Sequence, residues 1–257
     1  SSAASDVYKR QEEFADRVAE LVEKHVNINR LLELTKPVAT AVVPISAGRH
    51  TYKREPSFPI AVACDPAFNF VYEANIRYLH HLGEVTYFSP LADTSLPDAG
   101  FVYLPGGYPE LYLAALSANR QMLQSIRRYV ESGGKLLAEC GGMMYLCDEI
   151  RDKNGDVYPM AGVLHQSATM ENMKLRLGYR TLLYNETRLK GHEFHYSRLV
   201  EQQNPLPSCA VAYTAKGVET DTPLYHYKNV WAGYTHLYWA DPVGNEWFTK
   251  FVIDGNI

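Results

Sequence analysis

No stretch of this sequence stays apolar for the length of a bilayer crossing, and its first residues hold no short apolar signal core. A spanning helix and a secretory leader are therefore not expected, and the cytoplasm is the expected location. Cysteine is scarce. Cys64, Cys140, Cys147 and Cys209 are spread out and form no C-x-x-C pair. That argues against a zinc ribbon or a disulfide framework and for a reducing compartment. Blocks of one charge are missing as well. Lys and Arg number 25, Asp and Glu 29, and the net charge of −4 is spread with both signs interspersed. Neither nucleic acid nor a membrane surface is an expected partner. There is no G-x-x-x-x-G-K-[ST] loop, so no ordinary ATP site of that kind is expected. Internal repeats and low-complexity segments are absent too.

What is present is enough for one sizeable core with additions: 257 residues, 46% of them hydrophobic. Ser1–Asp6 is small and polar and is expected to lie outside the fold. Phe14, Val18, Leu21, Val22, Val26, Leu31 and Leu32 fall at roughly helical spacing, predicting a helix over 11–34 that Lys36-Pro37 ends. Four prolines from Pro37 to Pro59 and the basic residues Arg49, His50, Lys53 and Arg54 predict a solvated linker over 37–58. Beyond it, short apolar strands alternate with helices: Ile60–Cys64, a helix over Asn69–Leu82, Val85–Phe88, Phe101–Leu104, a long helix over Tyr112–Val130, and Lys135–Glu139. This alternation predicts an α/β fold, a mostly parallel sheet with helices on both faces. In such sheets, sites form at the carboxyl ends of the strands. After Asp148 the texture changes. Leu175–Tyr184, His192–Val200, Cys209–Ala215 and Val230–His236 alternate and are rich in Tyr and Val, predicting antiparallel strands. Ala240–Ile253 reads as a closing helix with Asp241 as N-cap and Pro242 at its first position.

The stretch the chain is organised around is Lys135-Leu136-Leu137-Ala138-Glu139-Cys140-Gly141-Gly142-Met143-Met144-Tyr145-Leu146. It reads as buried strand, sharp turn and helix start. A nucleophile there sits at the tip of a sheet, as in the strand–turn–helix elbow of hydrolases. Gly141 and Gly142 clear space for a strained turn and an approaching substrate. The helix start behind Cys140 is expected to lower its thiol pKa. The plain alternative is a small buried Cys before a Gly turn. Gly106-Gly107 also lies at a strand end. A Cys nucleophile needs a base and an oxyanion hole. His236, at the end of a late apolar strand, and His192 and His195, on an alternating one, are candidate bases. His80 and His81 are expected to be solvated on their helix. A metal on His192-x-x-His195 lacks a third ligand at a recognisable spacing, so no metal is expected.

Four motifs in order carry a resemblance: Leu104-Pro105-Gly106-Gly107-Tyr108-Pro109-Glu110, Ala138–Leu146, Gly191-His192-Glu193-Phe194-His195-Tyr196-Ser197 and Tyr234-Thr235-His236. Together they resemble the glutamine amidotransferase domain of the cobyrinic acid a,c-diamide synthase family, from about Ile60 to the end of the sequence. The helix over 11–34 resembles the segment leading out of that family's N-terminal synthetase domain. The resemblance implies a flavodoxin-like class I glutamine amidotransferase fold, with residues 1–36 as a segment from the synthetase domain, 37–58 as linker and 59–257 as the amidotransferase domain. It implies Cys140 attacking the side-chain amide of glutamine to form a thioester, His236 activating the Cys and protonating the ammonia, and the N–H groups of Gly107 and Gly141 as oxyanion hole. Ammonia would pass to the synthetase domain, where ATP and magnesium activate two carboxylates of a tetrapyrrole. That domain is not in this sequence, which is expected to be a fragment or a split subunit needing no cofactor of its own. A homodimer is a further expectation.

His192, Glu193, His195 and Tyr196 exceed what Cys hydrolysis needs and are expected at the substrate or a domain interface, with less weight in glutamine hydrolysis than His236. One departure matters. Many relatives carry a Glu two residues after the His, where this sequence has Tyr238, so a Cys140–His236 pair without a carboxylate at that position is expected. Cys64 stands where relatives commonly carry a basic residue. Tyr108, Tyr196 and Tyr234 near site loops fit ordinary packing better than stacking on a macrocycle. The alternatives are the same chemistry on another tetrapyrrole, as in nickel-sirohydrochlorin a,c-diamide synthase, a non-catalytic interaction domain of this fold, and an unrelated Cys hydrolase.

Overall fold

A computed structural model describes residues 2–35, 58–203 and 205–254. The chain divides into two compact units, Ser1–Lys53 and Arg54–Ile257. The first holds α1 (Ser2–His25) and α2 (Ile28–Leu34). One helix was expected here. The break comes at Asn27, whose side chain accepts from the N–H of Arg30 at 2.9 Å and so starts a new helix. Ser1–Asp6, expected outside the fold, contributes the first turns of α1 from Ser2 onward. The apolar stripe from Phe14 to Leu32 is exposed. Nearly all of the linker expected over 37–58 falls outside the described residues.

The second unit runs β1 (Phe58–Ala63), α3 (Glu73–Leu82), β2 (Gly83–Phe88), β3 (Phe101–Leu104), α4 (Leu113–Ala118), α5 (Arg120–Glu131), β4 (Lys135–Glu139) and α6 (Gly141–Leu146). Then come β5 (Cys147–Arg151), β6 (Val157–Pro159), β7 (Leu164–Thr169), β8 (Arg176–Tyr184), β9 (Thr187–His195) and β10 (Arg198–Leu199). It closes with β11 (Val211–Thr214), β12 (Glu219–Thr220), β13 (Leu224–Tyr227), β14 (Val230–Gly233), β15 (His236–Leu237) and α7 (Pro242–Thr249). The main sheet has the order β13-β14-β4-β3-β1-β2 and is parallel except for edge strand β13. A four-stranded sheet, β10-β7-β5-β6, and an antiparallel five-stranded sheet, β12-β11-β8-β9-β15, are added to it.

Alternation along the main strands builds two cores. Ala61, Val102, Leu104, Leu136 and Ala138 face α4, α5 and α6. Ile60, Val62, Phe101, Tyr103 and Leu137 face α3, α7 and the five-stranded sheet. Both faces of the sheet are covered, as the sequence pattern predicted. On α5, Met122, Leu123, Ile126 and Val130 are buried at helical spacing, each contributing roughly 1.5–3 kcal/mol. The long helix expected over Tyr112–Val130 is two helices. Asn119 divides them: its side chain accepts from Met122 N and donates to the carbonyls of Pro90 and Asp93 at 2.8 Å. Val230–His236, expected to be antiparallel, instead supplies β14, parallel to β4 with Ala232 opposite Ala138. All four β14 residues are buried, which suits a central strand and no edge. Helix α7 begins as expected, with Asp241 Oδ1 accepting from Gly244 N at 2.6 Å.

Phe248 is fully buried, stacked on Trp239 at 4.1 Å and edge-on to Phe101 at 5.3 Å. Phe248→Ala should lower unfolding free energy by about 3–5 kcal/mol without changing the fold, checked by urea denaturation followed by tryptophan fluorescence.

Candidate active site

The site lies at the carboxyl end of β4. Glu139 is its last residue, and the chain turns at Cys140, which takes φ 47° and ψ −105°. A non-glycine residue there carries strain of about 1–3 kcal/mol. Two backbone bonds hold the turn: Cys140 N donates to Gly233 O at 2.7 Å, and Met144 N donates to Cys140 O at 3.0 Å. The two glycines that follow are dictated by close approach. A Cβ on Gly142 would stand 2.1 Å from Leu104 O, and one on Gly141 would stand 2.7 Å from Pro109 Cδ and 3.2 Å from Gly107 N. The backbones of Gly107 and Gly141, both named from the sequence, are thus neighbours. Gly106 gives way to the imidazole of His236, since a Cβ there would lie 2.1 Å from its Cε1.

His236 reaches the site because β15 pairs with β9, with His236 opposite His192 and Leu237 opposite Gly191. Phe70 packs on the His236 ring at 4.3 Å and His192 at 5.3 Å. Burial, with the nearby charges of His192 and His195, pushes His236 down to about 3, so its imidazole is neutral at ordinary pH. Its Nδ1 is buried and has no hydrogen-bond partner. The nearest carboxylate oxygen is Oε2 of Glu139, at 3.9 Å. A carboxyl group therefore does stand beside the imidazole, although position 238 holds Tyr. Tyr238 is directed to the edge of Tyr72, with ring centroids 5.6 Å apart.

The Cys140 thiol is buried, and its hydrogen-bond partner is the carbonyl of Phe194 at 3.9 Å. Burial pushes the thiol up to about 12; the charges of Glu110, Glu139 and Glu193 add to this, and the Gly141 N–H opposes it. This corrects the expectation of a lowered pKa. Desolvation outweighs the end of a six-residue helix.

The Gly191–Ser197 motif splits across the two faces of β9. His192 faces His236 and shares a hydrogen bond with Tyr72 Oη at 3.0 Å. Glu193 and His195 turn the other way. Glu193 forms an ion pair with Arg180 and accepts from Thr222 Oγ1 at 3.0 Å. Burial works against its charge, but His195, Arg180 and Thr222 together hold its carboxyl below the usual range. His195 bonds Ser197 O at 2.8 Å and Glu193 Oε1 at 3.2 Å, and stacks on Tyr234 at 3.8 Å. With their rings on opposite faces, His192 and His195 do not form a joint metal site; among the described residues no group of three or more His, Cys, Asp or Glu is placed to hold a metal ion. Tyr196 is partly exposed on the rim.

A cavity of about 20 Å³ covers Cys140, lined among others by Gly107, Tyr108, Glu110, Phe194 and Tyr196. It has room for about one water molecule. His195 and Ser197 also line an adjoining cavity of about 300 Å³ that Arg176, Arg198 and Asp221 border. Two site groups escaped the sequence reading. Glu110 was visible only as part of a motif. Glu139 had a signal of its own, an acidic residue closing an otherwise apolar buried strand.

A model of the CobB/CobQ-like glutamine amidotransferase domain matches residues 59–243. The chain belongs to that domain family. This glutamine amidotransferase domain is 37% identical to the cobyrinate a,c-diamide synthase of Picrophilus torridus over 236 residues, 87% of this chain and 49% of that protein. It is 40% identical to the hydrogenobyrinate a,c-diamide synthase of Pseudomonas aeruginosa over 185 residues, 70% of this chain and 41% of that protein. The chain thus spans half or less of the length of these curated relatives. A crystal structure of a glutamine amidotransferase shares the fold, with a TM-score of 0.50 and 16% identity over 75% of this chain and 98% of that one. The amidotransferase fold is of class I. No described helix is long and apolar enough to cross a membrane.

Cys64 is exposed, whereas Cys140 is buried with a raised thiol pKa. Near neutral pH, iodoacetamide should modify Cys64 at least about tenfold faster than Cys140, read by peptide mass spectrometry over a time course.

Proposed function

We propose that this chain is the glutaminase half of a corrin a,c-diamide synthase, supplying ammonia for ATP-dependent amidation of two tetrapyrrole carboxylates. The observation that carries the glutaminase half is the strained turn at Cys140, with the Gly107 backbone against Gly141 and, beside Gly107, Gly106 against the imidazole of His236. The corrin half is supported by relatives named as cobyrinate and hydrogenobyrinate a,c-diamide synthases.

With the thiol raised and the imidazole lowered, the resting pair is neutral. Cys140 Sγ attacks the side-chain carbonyl carbon of glutamine as its proton passes to His236. The N–H groups of Gly107 and Gly141 hold the developing oxyanion. Collapse expels the amide nitrogen, which takes the proton from His236 and leaves as ammonia. Water, activated by His236, then hydrolyses the thioester to glutamate and restores the thiol. Glu110 borders the cavity and has no ion-pair partner among the described residues. Its carboxylate fits the α-ammonium group of glutamine. A cation there also offsets the charge that raises the thiol, so substrate binding favours thiol ionisation.

ATP and magnesium belong to the synthetase half. The described residues do not fit them: the sequence has no phosphate loop, and among the described residues no cluster suits a metal. Calorimetry with magnesium and ATP should show no micromolar binding to this chain.

Glutamate release from glutamine tests the function directly. Cys140→Ser should abolish it, and His236→Ala should slow it by about 10²–10⁴-fold. A glutamine-like diazoketone should label Cys140 and spare Cys64, Cys147 and Cys209. Labelling elsewhere, or Cys140→Ser at near wild-type rate, would refute the assignment. Glu110→Gln should raise KM for glutamine by about tenfold and leave KM for glutaramate, which lacks the α-ammonium, unchanged.

A further inference from the structure

We infer that Glu139, the residue preceding the nucleophile, is the positioning residue for His236 and stabilises its protonated form, taking the part of the carboxylate absent at position 238. The inference rests on the glutaminase function proposed above.

The observation behind it is an orphan. Nδ1 of His236 is buried without a partner, which is costly for a polar nitrogen. Glu139 Oε2 is 3.9 Å away, just beyond hydrogen-bond length. Glu139 is only 2% exposed, and a carboxyl group so deep needs partners for its oxygens. Its two oxygens are already aimed. Oε2 accepts from Tyr103 Oη at 2.7 Å, and Oε1 accepts from Leu237 N at 3.0 Å. Leu237 adjoins His236, so Glu139 grips the backbone that carries the imidazole. Asn75 grips the same segment from the other side, donating to Leu237 O at 2.8 Å and accepting from Trp239 N at 2.9 Å. Across the ring, Gly106 is in contact and allows no retreat. A small rotation of the Glu139 side chain then makes an Nδ1–H···Oε2 bond. That bond leaves the Nε2 lone pair free for the thiol proton. Once Nε2 takes it, the imidazolium faces a carboxylate, and the proton later leaves with ammonia.

Several titratable groups face this pair: Tyr103 and Tyr72, His192 and His195, Glu193, and Cys140 itself. Burial raises the Glu139 carboxyl to about 8, against the pull of Tyr103 and the Leu237 N–H. The protonated carboxyl offers Nδ1 a donor and favours the wrong tautomer. Activity should therefore fall as pH drops through the ionisation of Glu139.

The test compares glutamine hydrolysis by wild type and Glu139→Gln, together with ¹⁵N NMR of the His236 ring. Glutamine at 139 keeps an acceptor and the shape but loses the charge. We expect kcat to fall about 10²-fold with KM within about threefold, and the limb due to Glu139 to vanish from the pH profile. Wild-type His236 should carry its proton on Nδ1 above the ionisation of Glu139, and the variant should shift it toward Nε2. A variant kcat within about threefold of wild type overturns the inference, as does a wild-type ring protonated on Nε2 throughout. If Glu139→Gln fails to fold, the wild-type NMR decides alone. Glutamine hydrolysis that survives Cys140→Ala refutes the proposed function instead, and the ring-nitrogen measurement still judges the Glu139–His236 contact.

Discussion

At the carboxyl end of β4, segments of backbone meet with no side chain between them. Gly142 lies against the carbonyl of Leu104, Gly141 against Gly107, Gly106 against the His236 ring, and Gly191 against the carbonyl of His236. The site depends on this close approach. It lets the chain turn at the single residue Cys140, in a conformation that L residues rarely adopt. The strain persists because the surroundings over-determine it. Parallel β3 and β14 hold β4 on both sides, and the buried cores hold the sheet from both faces. A larger side chain at any of these glycines would push apart elements that the site needs in contact.

Burial that allows the close approach also sets the electrostatics. Thiol and imidazole are both pushed toward their neutral forms, for the same reason: water is kept out. The charges of Glu110, Glu139 and Glu193 raise the thiol further, while that of Glu193 opposes the lowering of the imidazole. A site of this kind does not store a thiolate. Glu110 supplies part of the charge that keeps the thiol protonated. Keeping the thiol protonated at rest also protects it from ordinary electrophiles and oxidants, whose attack needs the thiolate.

The Gly191–Ser197 motif joins two jobs in one strand. One face of β9 brings His192 against His236, and the other brings Glu193 and His195 into a buried network with Arg180 and Thr222. Gly191 makes this strand pairing possible by leaving room for the His236 carbonyl. The motif therefore lines the cavity over Cys140 as well as the larger one beside it.

The sequence by itself determined the parallel α/β fold, because strands with apolar residues on both faces and intervening helices have few other ways to be buried. It also singled out Cys140, Gly107, Gly141 and His236, through a strand–turn–helix signal and four ordered motifs. Helix breaks at Asn27 and Asn119 were not legible in apolar spacing, since the cap is a side-chain hydrogen bond that periodicity does not register. The direction of β14 was not legible either. Alternation describes one strand, while direction belongs to its pairing with β4. The tertiary structure alone decided the chemistry of the pair. Depth of burial set both pKa shifts, and it reversed the lowering that the helix start had predicted for Cys140. The carboxyl group beside His236 came from a strand of another sheet, 97 positions away in number. Sequence spacing orders residues along one chain segment, and only packing brings residue 139 to residue 236.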